Sequence, residues 1–269
     1  MTDPFVYSEV DRTKSRWVAK VFQEFGRPRT TLRALFYYAL SRGESDYPIC
    51  GGFVGEIRIT RPYHECDGEK LAKWTGKAQK LGFLPANALL KDEPGEHIFL
   101  PEASQYRTRG LEVWLNRSAF NPLLEPVCSR RGAVLVSTVS PSQKLLHQLF
   151  ERAVTQTTIL CLSDLSPESF SFHDRLAAAI SEAGPSKLPE IRILPVALTP
   201  EQVLQWKIPM STQTIGNSAR KAQKEYKKYL QAHKLSHNRI AELDALEVCY
   251  PRGIAGFCDD LLARYSEIQ

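Results

Sequence analysis

From about residue 108 the chain alternates between short apolar runs and segments of helical length, and no other feature limits its fold as tightly. Leu111-Glu112-Val113-Trp114-Leu115, Ala133-Val134-Leu135-Val136-Ser137, Thr158-Ile159-Leu160-Cys161-Leu162 and the run from Ile191 to Leu198 have strand length and strand composition. Between them, Gln143 to Ala153 places Leu145, Leu146, Leu149 and Phe150 on one helical side, and Phe172 to Ala183 is a second helical segment. Parallel strands need long crossovers, which these helices supply, so a largely parallel α/β sheet is expected. Functional residues in such sheets gather at the carboxyl ends of the strands. Here those ends read Leu115-Asn116-Arg117 and Leu162-Ser163-Asp164-Leu165-Ser166-Pro167.

The first 107 residues follow another pattern. Residues 15 to 26 predict a helix with Trp17, Val18, Val21, Phe22 and Phe25 inward, and Gly26-Arg27-Pro28 turns the chain into a second helix. That helix runs from Thr30 or Thr31, either of which can cap it, to Gly43, which can stop it. A loop containing Gly51-Gly52 leads to a third helix over Asp67 to Leu81, and His97 to Pro101 predicts a short strand. Three helices with a strand hairpin outline a winged helix-turn-helix. The expected division is therefore a winged-helix domain over 1–107 and an α/β domain over 108–269. On the third helix Leu71, Trp74, Ala78 and Leu81 face inward, and Lys73, Lys77 and Lys80 form a basic stripe. Such a stripe suits DNA phosphates, with Arg29 as a further candidate contact; a solvated lysine face is the alternative. A helix over Asn217 to Lys234, carrying Arg220, Lys221, Lys224, Lys227 and Lys228, poses the same choice.

Charge permits this reading without demanding it: the formal net charge is +5. The six cysteines are scattered without a C-x-x-C pair, which argues against zinc and for reduced thiols. His64-Glu65-Cys66 is too short to count as a metal site. No apolar run approaches a membrane span, and Met1-Thr2-Asp3-Pro4 has no signal-peptide character, so a cytoplasmic protein is expected. No G-x-x-x-x-G-K-[ST] loop occurs, so any ATP-driven step would need a separate ATPase subunit.

Arg33 and Tyr37 lie one turn apart, at the edge of the apolar face made by Leu32, Leu35, Phe36, Ala39 and Leu40. A tyrosine there is commonly a packing residue with a polar tip. A neighbouring guanidinium also favours phenolate and can hold a phosphate, which suits a nucleophile attacking a phosphodiester. The run from Thr31 to Leu40 resembles the R-x-x-F/Y-Y helix of the topoisomerase VI A-subunit family, which includes the meiotic double-strand-break transesterase. The attacking tyrosine of that motif maps onto Tyr37, and Arg33 onto its arginine.

The second half is similar to the Toprim domain that accompanies this tyrosine. Its first strand reads like E-V-W-V-E-K and its third like the D-x-D-P-x-G turn. Ala197-Leu198-Thr199-Pro200-Glu201-Gln202-Val203, with Ile208-Pro209, resembles an A-L-T-P-E-Q-V…L-P segment of short prokaryotic and phage relatives. Leu243-Asp244-Ala245-Leu246 resembles their late L-D-A-L. The likeness implies a Mg²⁺ site at Asn116, Asp164 and Ser166, where the family has a glutamate and two aspartates. One formal negative charge remains of three, and the glycine of the turn is Ser169. Glu168 and Asp174 are the nearby carboxylates that would have to compensate. Mg²⁺ is therefore expected to bind weakly or not at all.

The resemblance implies duplex DNA as partner and a homodimer. With the metal carboxylates reduced, the expected function is that of a weakened or silent DNA-binding subunit in a DNA-processing, mobile-element or defence complex. The alternative is an active transesterase that forms a 5'-phosphotyrosyl link through Tyr37.

Overall fold

The computed structural model describes residues 7–43, 47–54, 57–101, 110–153, 156–184, 190–212 and 220–267. The chain is mixed α/β and divides into two compact units, 1–90 and 91–269.

In the first unit, α1 (Glu9–Phe25) starts at Ser8, whose hydroxyl accepts from the Asp11 amide, and stops at Gly26 in the left-handed region, φ 69°. The helix begins six residues before the expected Ser15 because this cap precedes its apolar stripe. β1 (Thr30–Thr31) pairs in parallel with β4 (Leu89–Leu90). α2 (Leu32–Arg42) is capped by Thr31, which accepts from the Ala34 amide. β2 (Cys50–Val54) and β3 (Ile57–Thr60) form an antiparallel hairpin where the glycine pair predicted a loop. Glycine weakens a strand but does not forbid one, and the register shifts between Cys50 and Gly52. α3 (Gly68–Lys80) buries Leu71, Trp74 and Ala78 as expected, while Leu81 lies just past its end.

The core of this unit is aromatic. Trp17 from α1 stacks on Tyr63 at 5.8 Å and meets Tyr47 and Trp74 edge-on at 5.0 and 6.1 Å. Asp67, fully buried, is held by Arg61 through two bonds of 2.7 and 2.8 Å, by Lys70 at 2.8 Å and by the His64 amide. Burial works against the Asp67 charge, and these donors overcome it, so its carboxyl sits below the usual carboxylate range.

The second unit is built on a five-stranded sheet in the order β5-β7-β6-β8-β9. Its strands are β5 (His97–Phe99), β6 (Leu111–Leu115), β7 (Val134–Ser137), β8 (Gln156–Leu162) and β9 (Glu190–Ala197). β6, β7, β8 and β9 pair in parallel, and β5 closes one edge antiparallel to β7. The strand expected to belong to a wing is thus part of this sheet, which is why the second unit begins at Lys91 rather than after residue 107. Residues 102–109 lie outside the described residues.

α4 (Asn121–Arg130) escapes the periodicity reading because Pro122 and Pro126 interrupt its pattern; Pro122 is tolerated in the first turn, where no intrahelical donor is needed. α5 (Gln143–Arg152) and α6 (Phe172–Ala183) form where expected. Leu145, Leu146, Leu149, Phe172, Leu176 and Ile180 pack against Trp114, Val134, Val136, Ile159 and Cys161. α7 (Pro200–Gln205) opens with a reciprocal cap between Thr199 and Gln202. α8 (Arg220–Ala232), α9 (Leu243–Cys249) and α10 (Gly253–Glu267) complete the described helices.

Candidate functional site

Two separate groups of residues carry the chemistry expected from the sequence. The first is on α2. Helical spacing brings the Arg33 guanidinium to the Tyr37 hydroxyl, to which it donates at 3.3 Å. The same guanidinium lies 4.9 Å from the Tyr37 ring centre and 4.4 Å from that of Phe36. The pair therefore forms as the sequence predicts, but the ring is turned inward: Tyr37 is 1% exposed. Arg29 is exposed ahead of the helix.

On α3, Lys73 and Lys80 are exposed, whereas Lys77 is half-buried and bonded through its ammonium to Asp11 of α1. Lys70, on the same side, is committed to Asp67. Two of the three lysines in the expected stripe thus face solvent, and the third joins two helices.

The second group lies where β6 and β8 end. Parallel pairing of Leu115 with Leu162 sets the residues after the two strands side by side. The Asn116 amide donates to the Ser169 hydroxyl at 2.7 Å, linking the two loops directly. The Asn116 Oδ1 is buried and accepts no hydrogen bond among the described residues. Asp164 Oδ1 accepts from the Leu243 amide at 2.8 Å, at the start of α9, and Ser166 is buried. The structure thus sets Asn116, Asp164 and Ser166 on two neighbouring loops.

It adds residues that motif matching passes over. Arg117 donates to Asp244, which is fully buried, and to Asp92 at 3.2 Å. Burial opposes its charge, but Asp244, Asp164 and Asp92 more than restore it, so its pKa lies above the ordinary guanidinium value. Burial pushes the Asp164 carboxyl up to about 7 against the pull of Arg117, with Asp244 adding to the rise. One guanidinium is thus bonded to two carboxylates, Asp92 and Asp244, and draws on a third, Asp164. The signal was present in the sequence: Arg117 follows Asn116, and Asp244 is the acidic residue of the L-D-A-L segment. Their meeting depends on the return of α9 to the sheet, which no local pattern encodes.

Both carboxylates that would have to compensate at this site are exposed. Asp174 is 72% exposed with His173 at 3.3 Å, and Glu168 is exposed. Among the described residues, no three His, Cys, Asp or Glu side chains are arranged to hold a metal ion. No helix there is long and apolar enough to cross a membrane.

Neither the models of known protein families nor the curated proteins compared with this chain give a match.

Proposed function

We propose that this chain is a DNA-binding subunit of the topoisomerase VI A-subunit type, with a winged-helix first unit and a Toprim-like second unit, that has lost the ability to cleave. The observation that carries the reading is Arg117 among Asp92, Asp164 and Asp244. A divalent cation needs ionised oxygen ligands to offset its dehydration, and Mg²⁺ tolerates poor geometry badly. The residues present do not fit that ion. Asn116 and Ser166 contribute no charge, and Asp244 and Asp92 are already bonded to the Arg117 guanidinium.

Exposed Lys73, Lys80 and Arg29 support DNA binding through phosphate contacts, which give affinity with little sequence preference. Homodimerisation and a separate ATPase subunit belong to the same proposal, by analogy with the family. The decisive experiment incubates purified protein with supercoiled and linear duplex DNA plus Mg²⁺ or Mn²⁺, then searches for covalent protein–DNA adducts. The expected result is reversible binding without adduct. An adduct mapped by mass spectrometry to Tyr37 would replace the proposal with the active transesterase, the reading favoured by the 3.3 Å approach of Arg33 to the Tyr37 hydroxyl. An adduct on Tyr38 would retain cleavage and move the nucleophile.

A further inference from the structure

The basic character of this protein is not spread evenly. Residues 220–239 contain seven lysines and arginines against one glutamate, a net +6 where the whole chain has +5, so the remaining residues together are net −1. Most of these cations lie on α8. The helix buries Tyr226 and Leu230 and leaves Arg220, Lys221, Lys224 and Lys228 exposed, with Lys227 at the border. Among the described residues no carboxylate forms an ion pair with any of these five. On α3, by contrast, Lys70 and Lys77 are spent on Asp67 and Asp11. Lys221, Lys224 and Lys228 share one side of α8, because spacings of three and seven residues return to nearly the same angle.

We infer that α8 is the main phosphate-backbone contact of the second unit and holds duplex DNA through Lys221, Lys224 and Lys228. The anchoring of the helix supports this. The Tyr226 hydroxyl donates to the Leu165 carbonyl at 2.6 Å, within the loop that carries Asp164 and Ser166. Phe170 of the same loop packs on Tyr226 and Tyr229 at 5.5 and 5.8 Å. These anchors fix the buried side of α8, and the lysine side points away from them, so a polyanion reaches it from solvent without displacing the helix. The apolar side of α8 also discriminates between polyanions. A membrane-surface helix keeps its apolar face free for insertion, whereas Tyr226 and Leu230 are already buried in protein. Nucleic acid phosphate therefore suits this surface better than an anionic bilayer.

The inference rests on the DNA-binding reading and extends it to a named surface. Its test measures anisotropy of a fluorescein-labelled random-sequence duplex with the full chain over a range of NaCl concentrations. One variant combines Lys221→Gln, Lys224→Gln and Lys228→Gln. A charge-matched control combines Arg12→Gln, Lys91→Gln and Lys144→Gln, all exposed positions elsewhere. Circular dichroism confirms that both remain folded. Each lost phosphate contact removes about 0.9 from the slope of log affinity against log salt, so the α8 variant is expected to lose about 2 to 3 and the control far less. An α8 variant that binds duplex like the control overturns this inference and leaves the DNA reading standing. Wild-type protein that binds no duplex at all overturns the DNA reading itself. Binding confined to phosphatidylserine vesicles, and lost in the α8 variant, overturns the choice of nucleic acid.

Discussion

Tyr37 is a buried ring whose hydroxyl accepts from Arg33, and as a packing residue it contributes volume and this modest hydrogen bond. Tyr37→Phe keeps the volume, so its expected cost is about 1 kcal/mol in urea denaturation. On the proposed function the same variant leaves duplex affinity unchanged; a tenfold loss of affinity would make the hydroxyl part of the DNA contact. Asp164 has a different signature. Its pKa rises from the ordinary carboxylate value to about 7 on folding, so the folded state holds its proton over a pH range in which the unfolded state has released it. The folded state therefore binds more protons between about pH 4 and 7, and stability falls as pH rises through that window. One such group contributes a slope of at most about 1.4 kcal/mol per pH unit. Asp164→Asn is expected to flatten this dependence, measured as urea midpoints from pH 4 to 8. An unchanged pH profile in Asp164→Asn would assign the slope to another group.

Among the elements, the loop after β6 is held by Arg117, which ties it to Asp92 and to α9 through Asp244. Removing one partner of a buried charge cluster leaves uncompensated charge, a cost of about 3 to 5 kcal/mol. Arg117→Met keeps the apolar stem and is expected to lose that much, with part recovered when Asp244→Asn is added. Full additivity of the two changes would show that Arg117 and Asp244 do not act as a pair. α3 separates its lysines by role. Lys73→Ala with Lys80→Ala is expected to lower the salt slope of duplex binding by about 2 without changing the melting temperature. Lys77→Ala is expected to lower the melting temperature instead, because the bridge from Lys77 to Asp11 joins α3 to α1. Thermal scans and anisotropy on the same samples distinguish the two effects.

For the whole molecule, the first unit has its own core around Trp17, Leu35, Phe36, Leu71 and Trp74. Residues 1–90 expressed alone are therefore expected to unfold cooperatively on heating; a broad, non-cooperative transition would show that this core needs the rest of the chain. Apolar periodicity and capping chemistry made much legible in the sequence: the strand–helix alternation, the parallel sheet, α2 with Arg33 beside Tyr37, and its cap at Thr30 or Thr31, of which Thr31 serves. These are local matters, set by side-chain period, capping chemistry and turn residues within a few positions of one another. The tertiary structure decided what such patterns leave open. It gave the His97–Phe99 strand to the edge of the sheet, turned Lys77 toward Asp11, buried Tyr37, and brought Asp244 to Arg117 across 127 positions of sequence. Charge neutralisation and burial depend on which distant segments meet, and a carboxylate motif read along the chain contains no information about the guanidinium that will face it.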